Sequence, residues 1–284
     1  MLYICATPIG NLQDITLRAI TTLQQADIIL CEDTRVSKKL LQAHNITYKK
    51  LISLHAHNEE HISQEVLKWL ADGLNIVQIT DAGTPNISDP GAKLCQIVLN
   101  AGFPVTPIPG ACAYISLLSI SGLPYHTLFY GFLPATSNKR IKAITAFIAS
   151  QYAICTYEAP HRIIDTIQAI IDILGANTMI TMGRELTKQF ETIKQLSAQE
   201  LLNFIISDKY QQKGEFVLII HPNITNNNCN KQNHDIILSS ENIKLINILA
   251  KKMPPKEAAN IASEITNIHK DIYYQYLLTQ KLSL

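Results

Sequence analysis

TDAGTPNISDPG, residues Thr80–Gly91, is the most informative stretch of this sequence about fold and ligand binding. It combines repeated glycine and proline turn signals with two aspartates, and it follows the apolar run Asn75–Ile79, which predicts a buried strand. A strand that ends in such a loop exposes backbone amides and carbonyls at its carboxyl end, where open α/β sheets bind ligands. A plain surface turn needs fewer of these signals. We therefore expect a ligand-binding loop here.

The sequence around this loop alternates short apolar segments with segments of helical spacing. The predicted strands are Leu2–Ala6, Ile28–Cys31, Lys50–Leu54, Ile76–Thr80 and Pro104–Ile108, and the predicted helices are Thr16–Gln25, Ser37–His44, His61–Asp72 and Pro90–Ala101. Such alternation predicts a mostly parallel sheet that is covered on both faces.

Gly122–Pro124 and Gly131–Pro134 interrupt this alternation and indicate a domain junction. Beyond them, the predicted strands are Ala153–Tyr157, Met179–Gly183 and Phe216–His221, and the predicted helices are His161–Leu174 and Gln199–Lys209. A second α/β domain fits this pattern.

The end of the sequence has a different character. The asparagine-rich tract Asn223–His234 predicts a flexible linker. Three helices are predicted after it, at Asn242–Lys251, Lys256–Thr266 and Lys270–Gln280, with a turn at Asn267–His269. They resemble a helix-turn-helix module, but a packing appendage is an equal alternative. We expect α/β domains at 1–118 and 119–222, a linker at 223–235 and a helical domain at 236–284.

Composition narrows the class of protein. The 284 residues are 47% hydrophobic and 17% charged, which is typical of a globular protein, and no apolar run approaches about 18 residues. The net charge of +1 excludes a global field that attracts nucleic acid, so any RNA contact depends on local clusters such as Asn138–Lys142. Six cysteines without a CxxC pair, and a start without a basic leader, predict a cytoplasmic protein without membrane contact.

Three glycine and proline loops each follow a predicted strand of the first domain: Thr7–Asn11, Asp81–Pro85 and Ile108–Ala113. In a parallel sheet these loops lie at one edge and can line a single crevice. The phosphate-binding patterns GxGxxG and GxxxxGK[ST] are both absent from the sequence. Because the loops offer backbone carbonyls and Asp81, they suit a ligand with a cationic centre and an adenosine better than a polyphosphate.

Polar side chains follow other predicted strands. A metal site from His55, His57 and His61 is conceivable, but no carboxylate or cysteine completes it, so we expect no metal. In the second domain, Tyr157–Arg162 and Gly183–Lys188 each place an acid beside a base at a sheet edge. The alternative for both is a pair of charges that satisfy each other at the surface.

Nine segments together carry a resemblance to a known family. They are TPIGNLQDITLRA, CEDTR, SLHAHNE, TDAGTPNISDPG, PIPGACA, GFLP, YEAPHRI, GRELTKQFE and KGEFVLII. In this order and spacing they closely resemble the 16S ribosomal RNA 2′-O-ribose cytidine methyltransferases of the tetrapyrrole methylase superfamily. The resemblance implies two α/β domains, S-adenosylmethionine bound in the cleft between them, and a homodimer. The implied partner is 16S rRNA in the small ribosomal subunit, with a cytidine ribose of the decoding region as acceptor.

The resemblance also implies site residues. The cofactor positions that match the family are Pro8, Ala82, Gly83, Thr84, Ile87, Cys112, Ala113, Tyr157 and Glu158, to which Asp81 is added from the loop itself and Arg184 and Glu185 as weaker matches. Cys112 stands where the family usually has serine, and a thiol is a poorer hydrogen-bond donor than a hydroxyl.

Catalysis requires a ribose 2′-hydroxyl to be aligned with the methyl group, and a base can assist. Asp33, His55 and Glu185 are the candidate bases, and the sequence does not separate them. The candidate RNA contacts are Arg35, His57, Arg162 and Lys188, with Arg184 as a further cation near phosphate. Two alternatives stay open: a methylase of a tetrapyrrole or other small acceptor, and a non-catalytic ribosome-assembly factor.

Overall fold

The computed structural model describes residues 1–148, 150–222, 240–266 and 270–281. Its strands are β1 Leu2–Cys5, β2 Ile28–Cys31, β3 Leu51–Ser53, β4 Ile76–Gln78, β5 Val105–Ile108, β6 Thr127–Phe132, β7 Ala153–Glu158, β8 Met179–Arg184, β9 Thr192–Ser197 and β10 Phe216–Ile220. Its helices are α1 Leu17–Gln24, α2 Thr34–Ala43, α3 Glu59–Ala71, α4 Ala92–Asn100, α5 Ala113–Ile120, α6 Ser137–Phe147, α7 Ile163–Leu174, α8 Ala198–Ser207, α9 Ser240–Ala250, α10 Pro255–Thr266 and α11 Lys270–Lys281.

The first sheet is parallel throughout, with strand order β3-β2-β4-β1-β5. Its strands are short and almost wholly apolar, as expected when helices cover both faces of a parallel sheet. Because β2, β4, β1 and β5 are neighbours, the segments that follow their carboxyl ends form one continuous row. This strand order confirms the predicted parallel sheet and places the three predicted loops side by side.

The second sheet has the order β6-β7-β10-β8-β9 and is mixed. β6 and β7 are parallel, whereas β10 runs antiparallel to both of its neighbours, β7 and β8. The amino end of β10 therefore lies beside the carboxyl ends of β7 and β8, with Phe216 opposite both Glu158 and Arg184. The carboxyl ends of β6, β7 and β8 and the amino ends of β9 and β10 therefore lie at the same edge of the second sheet.

Helix α5 joins the first half of the chain to the second sheet. Leu117 of α5 is fully buried in an apolar cluster with Cys155, Val217 and Ile219 of that sheet, and Ile9 from the loop after β1 belongs to the same cluster. The predicted domain boundary at residue 118 therefore falls inside a helix whose apolar side packs on the second sheet. Both sheets therefore belong to a single compact unit.

Four elements were absent from the sequence prediction: α5, β6, α6 and β9. The prediction interpreted Gly131 as a break, but the structure places it within β6, at a register shift between Phe129 and Gly131. Its φ of +76° fits a β-bulge, which glycine accommodates without steric strain. β9 is polar, with sequence TIKQLS, because it is an edge strand that pairs with β8 alone.

The second compact unit contains α9, α10 and α11, close to the three helices predicted for the tail. Its core is formed by Ile246, Ala258, Ala262 and Tyr273, all fully buried. The Tyr273 hydroxyl and the Thr266 hydroxyl share a 2.7 Å hydrogen bond. The predicted linker at 223–235 and the predicted turn at Asn267–His269 lie outside the described residues. None of the helices in the described ranges has the length and apolar character needed to cross a bilayer.

Candidate functional site

The loops after β1, β4 and β5 are connected to one another by hydrogen bonds. Thr7 and Gly83 exchange two backbone hydrogen bonds of 2.8 and 3.0 Å, and the Thr7 hydroxyl donates to the Thr80 carbonyl at 3.0 Å. The Thr84 hydroxyl donates to the Ala111 carbonyl at 3.1 Å. These contacts fix the three loops as one surface, as the strand order requires.

A cavity of about 390 Å³ opens between this surface and the edge of the second sheet. Its volume lies within the range of small-molecule sites. The lining residues of the first half are Ile9, Glu32, residues 80–84, Ile87, Ser88, Asp89, Cys112 and Ala113, and those of the second half are Phe132, residues 157–160, Gly183, Leu186 and residues 215–217.

The lining suits the S-adenosylmethionine that the family resemblance implies. Gly83 has φ +88°, and a Cβ there would stand 3.3 Å from Ile9 Cγ2, so the backbone rather than a side chain forms this wall. Ile9, Leu186 and Val217 supply apolar contact for a flat ring, and carboxylates supply negative charge for a sulfonium. The residues present therefore fit a nucleoside with a cationic centre.

Three carboxylates, those of Glu32, Asp81 and Asp89, line the cavity. Burial raises the pKa of Glu32, and the charges of Asp81 and Asp89 raise it further, against a hydrogen bond from Thr80. Burial is also the main cause of the raised pKa of Asp81 and of Asp89. No lysine or arginine nitrogen in the described part of the chain lies within 4.0 Å of these carboxylates. This wall of the cavity is therefore anionic and open to a cation.

The structure brings most of the predicted cofactor residues to the cavity: Asp81, Ala82, Gly83, Thr84, Ile87, Cys112, Ala113, Tyr157 and Glu158. Pro8 is buried and does not line it, whereas its neighbour Ile9 does. Arg184 and Glu185 do not line it either.

Cys112 and Tyr157 approach each other across the cavity wall. The Cys112 thiol and the Tyr157 hydroxyl are 3.9 Å apart, which is a weak contact for a sulfur hydrogen bond. Burial is the main cause that raises the pKa of Tyr157. Tyr157 also packs edge-to-face against Phe129 and Phe132. The aromatic ring of Tyr157 is thus held in place by its neighbours.

The carboxylate of Glu158 faces away from solvent, with its side chain fully buried. It accepts hydrogen bonds from Arg162 Nε at 2.7 Å, from the Thr166 hydroxyl at 2.6 Å and from the Ala159 amide at 2.8 Å. Arg162 also donates to the Leu133 carbonyl at 2.7 Å. Glu158 therefore holds the turn at the cavity edge, and the charge of Arg162 is already compensated, which argues against a role for Arg162 on phosphate.

Arg184 is 6% exposed and serves as an internal hub. Its guanidinium donates to the carbonyls of Lys213, Tyr210 and Phe190, at 2.7, 2.7 and 3.1 Å. Each of these oxygens belongs to the backbone around β8, so Arg184 stabilises this end of the sheet. The guanidinium is therefore engaged within the protein, and Arg184 does not line the cavity.

Glu185 and Lys188 form an ion pair of 3.0 Å outside the cavity, and Lys188 also contacts Glu215 at 2.9 Å. Glu185 accepts a further hydrogen bond from the Glu215 amide. Burial alone would raise the pKa of Glu185, but this amide and Lys188 outweigh it and lower the pKa below its usual value. A carboxylate stabilised in its charged form is a weak proton acceptor, and Lys188 is already paired.

Asp33 and Arg35 form an exposed pair at the start of α2, with 2.6 Å between the guanidinium and the carboxylate. Asp33 caps α2 by accepting from the Arg35 amide. The hydrogen bonds from Arg35 lower the pKa of Asp33 to about 2. Asp33 lies beside the cavity, since its amide donates to Asp81, but its carboxylate does not line it.

His55 and His57 lie in the exposed turn after β3, and their rings are 6.1 Å apart. His61, the third histidine of this stretch, lies 3.9 Å from Glu65 on α3. Neither His55 nor His57 lines the cavity. Across the described ranges, no cluster of three histidine, cysteine or acidic residues has an arrangement that could hold a metal ion.

Sequence reasoning missed Glu32 and Asp89 as site residues. The sequence contained a signal for each of them. Glu32 follows β2, which neighbours β4, and Asp89 lies within the loop Thr80–Gly91. The prediction chose Asp33 over Glu32, although side chains alternate at a strand end and only one of two consecutive residues can face the cleft. Phe132 was also missed, because β6 was not predicted.

Two family descriptions match the chain. Residues 1–202 match Tetrapyrrole (Corrin/Porphyrin) Methylases, and residues 238–281 match the RsmI C-terminal HTH domain. Among curated proteins, the chain is 41% identical to ribosomal RNA small subunit methyltransferase I of Escherichia coli O157:H7, over 99% of this chain and 95% of that protein. The protein of the same name from Vibrio cholerae serotype O1 is also 41% identical, over 97% and 93%.

Solved structures with a similar fold are more distant in sequence. A cobalt precorrin-4 methyltransferase of cobalamin biosynthesis aligns with TM-score 0.58 at 16% identity, over 77% of this chain and 93% of that one. Uroporphyrin-III C-methyltransferase from Thermus thermophilus, solved with S-adenosyl homocysteine, aligns with TM-score 0.53 at 16% identity, over 77% and 96%. At these identities the likeness concerns the fold.

Proposed function

Because the chain belongs to the tetrapyrrole methylase family and, within it, to the ribosomal RNA small subunit methyltransferase I proteins, we propose that it methylates 16S rRNA with S-adenosylmethionine. The acceptor we propose is the 2′-hydroxyl of a cytidine ribose in the decoding region. The observation that carries this proposal is the 41% identity over 99% of the chain, since it includes the tail as well as the cavity residues.

The cavity supports the donor part of the proposal. Residues 80–84 with Cys112 and Ala113 would hold the nucleoside through their backbone, and Tyr157 with Leu186 would cover it. A bound donor would supply a methyl group on a sulfonium for transfer to the hydroxyl oxygen, and the hydroxyl proton would then have to leave. The protein aligns the hydroxyl and excludes water from the cavity.

Two exposed basic side chains in the first half of the chain support an RNA contact. The Arg35 side chain is 87% exposed, and His57 is exposed in the neighbouring turn. We propose these two as contacts to the RNA backbone, whereas the internal ion pairs of Arg162 and Lys188 remove them from this role. The low net charge fits recognition of a shaped ribosomal particle.

We also propose a homodimer and a cytoplasmic location. Strand β6 is an edge of the second sheet, and its Leu128, Tyr130 and Phe132 are 48, 40 and 53% exposed. An apolar edge of this kind is normally covered, and a second copy of the chain is the occupant we propose. The cysteines that the structure describes are free thiols, as in a reducing compartment.

Mass mapping of small-subunit rRNA from a deletion strain tests the proposed function. The expected result is loss of one ribose methyl group, 14 mass units, at a single cytidine, restored by the wild-type chain. Unchanged rRNA modification would contradict the proposal. Methyl transfer by the purified protein to a tetrapyrrole, but not to 30S particles, would favour the small-acceptor alternative. Donor binding without any transfer, together with a 30S assembly defect, would favour the assembly-factor alternative.

A further inference from the structure

None of the predicted bases, Asp33, His55 and Glu185, lines the cavity, whereas the carboxylate of Glu32 does. We propose that Glu32 is the catalytic residue that accepts the proton of the acceptor hydroxyl during methyl transfer. This inference rests on the proposed function and names a residue within its cavity rather than a new site.

The position of Glu32 follows from the topology. Glu32 comes directly after β2, which pairs with β4, so its side chain lies beside Thr80 at the start of the loop after β4. The Thr80 hydroxyl donates to Glu32 Oε2 at 3.2 Å. Within the described residues no hydrogen bond is made to Oε1 of Glu32. One carboxylate oxygen is thus held by the protein, and the other is free to accept a proton.

The proton transfer balances without another reactant. As the hydroxyl oxygen forms its bond to the methyl carbon, its O–H bond breaks and the proton moves to Oε1 of Glu32. The O–H electron pair stays on the ribose oxygen, which becomes an ether oxygen. The carboxylate becomes a neutral carboxylic acid and later releases the proton to water. The charge that the cavity loses when the sulfonium becomes a sulfide is therefore matched by one negative charge neutralised on Glu32.

Burial and the charged groups around Glu32 make it a better base than Asp33 or Glu185, whose pKa values are lowered. Asp81, Asp89 and Asp33 all act on it with negative charge, and burial adds to their effect by raising its pKa. A general base is most effective when its pKa approaches the working pH. Arg35 is paired with Asp33, and its charge lowers the pKa of Asp81. Among the described residues, no lysine, arginine or histidine nitrogen lies within 4.0 Å of the Glu32 carboxylate.

Single-turnover methylation of 30S particles with saturating donor tests the role of Glu32. We expect Glu32→Gln to lower the rate at least 100-fold while the dissociation constant for S-adenosylmethionine, measured by calorimetry, stays within about five-fold. Asp89→Asn should move the acidic limb of the pH–rate profile to lower pH, because one charge that raises the pKa of Glu32 is removed. Glu60→Gln, at an exposed site that pairs with Lys93, is the matched control and should behave as wild type.

The free protein gives a second readout that does not depend on activity. Because the folded-state pKa of Glu32 is raised, its ionised form destabilises the fold above the unfolded-state pKa of about 4.3. Glu32→Gln should therefore raise Tm at pH 7.5, and the gain should vanish as the pH falls to about 4. Glu60→Gln should instead lower Tm slightly at pH 7.5, since Lys93 lowers the pKa of Glu60.

The outcomes separate the two proposals. If wild-type protein does not methylate the ribosomal particle, the proposed function fails. If wild-type protein is active and folded Glu32→Gln retains a rate within three-fold, or loses rate and donor binding equally, Glu32 is not the base and the proposed function stands. A Glu32→Gln variant that does not fold is replaced by Glu32→Asp, which keeps the charge but withdraws the oxygens by one methylene. Its rate should fall at least ten-fold, and a wild-type rate would overturn the inference.

Discussion

Gly83 shows how a single backbone angle shapes the cavity. Its φ of +88° is one that residues other than glycine rarely adopt. The backbone of Gly83 also makes the two hydrogen bonds to Thr7 that join two loops. Gly83→Ala should lower the free energy of unfolding by about 1 kcal/mol and weaken donor binding about ten-fold, because both the loop angle and the wall change. Thermal unfolding and calorimetry measure the two effects.

Gly73→Ala is the matched control for this prediction. Gly73 has a similar φ of +80°, but a Cβ there would have no atom within 4 Å. It should therefore show the loss of stability without the loss of affinity. Equal affinities in the two variants would mean that the Thr7–Gly83 contact does not form the donor site.

The contacts of Glu158 indicate a structural role for its carboxylate. The sequence placed it on the cofactor, and its position at the cavity edge agrees, but its carboxylate serves Arg162 and Thr166. Glu158→Gln should destabilise the protein by about 3 kcal/mol, because the guanidinium of Arg162 is left without its counter-ion in a buried place. Chemical denaturation measures this loss.

Asp33→Asn breaks an ion pair of the same type at an exposed position and is the control for Glu158→Gln. Solvent screens such pairs, so the Tm of Asp33→Asn at pH 7 should stay close to that of wild type. If both variants lose the same stability, burial is not what makes the Glu158 pair important.

Among the elements, buried strands and amphipathic helices were predicted well, since β1, β2 and α1 have clear apolar patterns. The three loops were found because glycine and proline mark them in the sequence. The errors were at α6, at the polar edge strand β9, at the edge strand β6, which Gly131 interrupts, and at α5, whose mostly apolar sequence AYISLLSI gives no periodic signal. Whether such a segment forms a strand or a helix depends on the elements that it packs against, and a single sequence does not reveal those partners.

Within the site, backbone-lined positions such as Gly83 and Ala113 were predicted, whereas the roles of charged residues were not. Arg184 and Lys188 look alike in sequence as surface cations, but the structure gives each an internal set of partners. A charge next to a strand end has two possible directions, and tertiary packing selects one of them. The carboxylates Glu32 and Asp89 illustrate the same limit in reverse.

Strand β6 carries the prediction about assembly. Leu128→Glu places a charge on the exposed edge and should convert the proposed dimer to a monomer, which light scattering after size exclusion would detect. Ile193→Glu is the control, since Ile193 is 39% exposed on β9 at the opposite edge of the same sheet. A monomeric wild-type protein, or dissociation by Ile193→Glu alone, would contradict the β6 interface.

At the scale of the whole molecule, the proposed donor site and the tail each belong to a compact unit of their own. Among the described residues, those that line the cavity fall between Ile9 and Val217 in the sequence, and the tail unit has its own core around Tyr273. Tyr273→Ala should unfold the tail unit, with a loss of about 3 to 5 kcal/mol in that unit, and leave donor affinity unchanged. Methylation of 30S particles should fall, since we expect the tail to contribute to RNA binding.

Tyr273→Phe is the matched variant, because it removes the hydroxyl bonded to Thr266 and keeps the buried ring. It should lose about 1 kcal/mol and retain activity. A Tyr273→Ala variant with an unfolded tail and full activity on 30S particles would show that the tail is a packing appendage, the alternative that the sequence left open.

The anionic wall of the cavity has a consequence for the order in which molecules enter and leave. We expect Glu32, Asp81 and Asp89 to attract a donor with a positive sulfur and to hold the thioether product less tightly, because the product has lost that charge. Phosphate groups of RNA are repelled by the same wall, so the nucleotide can present its sugar here while its phosphates stay in solvent. The three carboxylates should therefore favour replacement of the thioether product by a new molecule of the sulfonium donor.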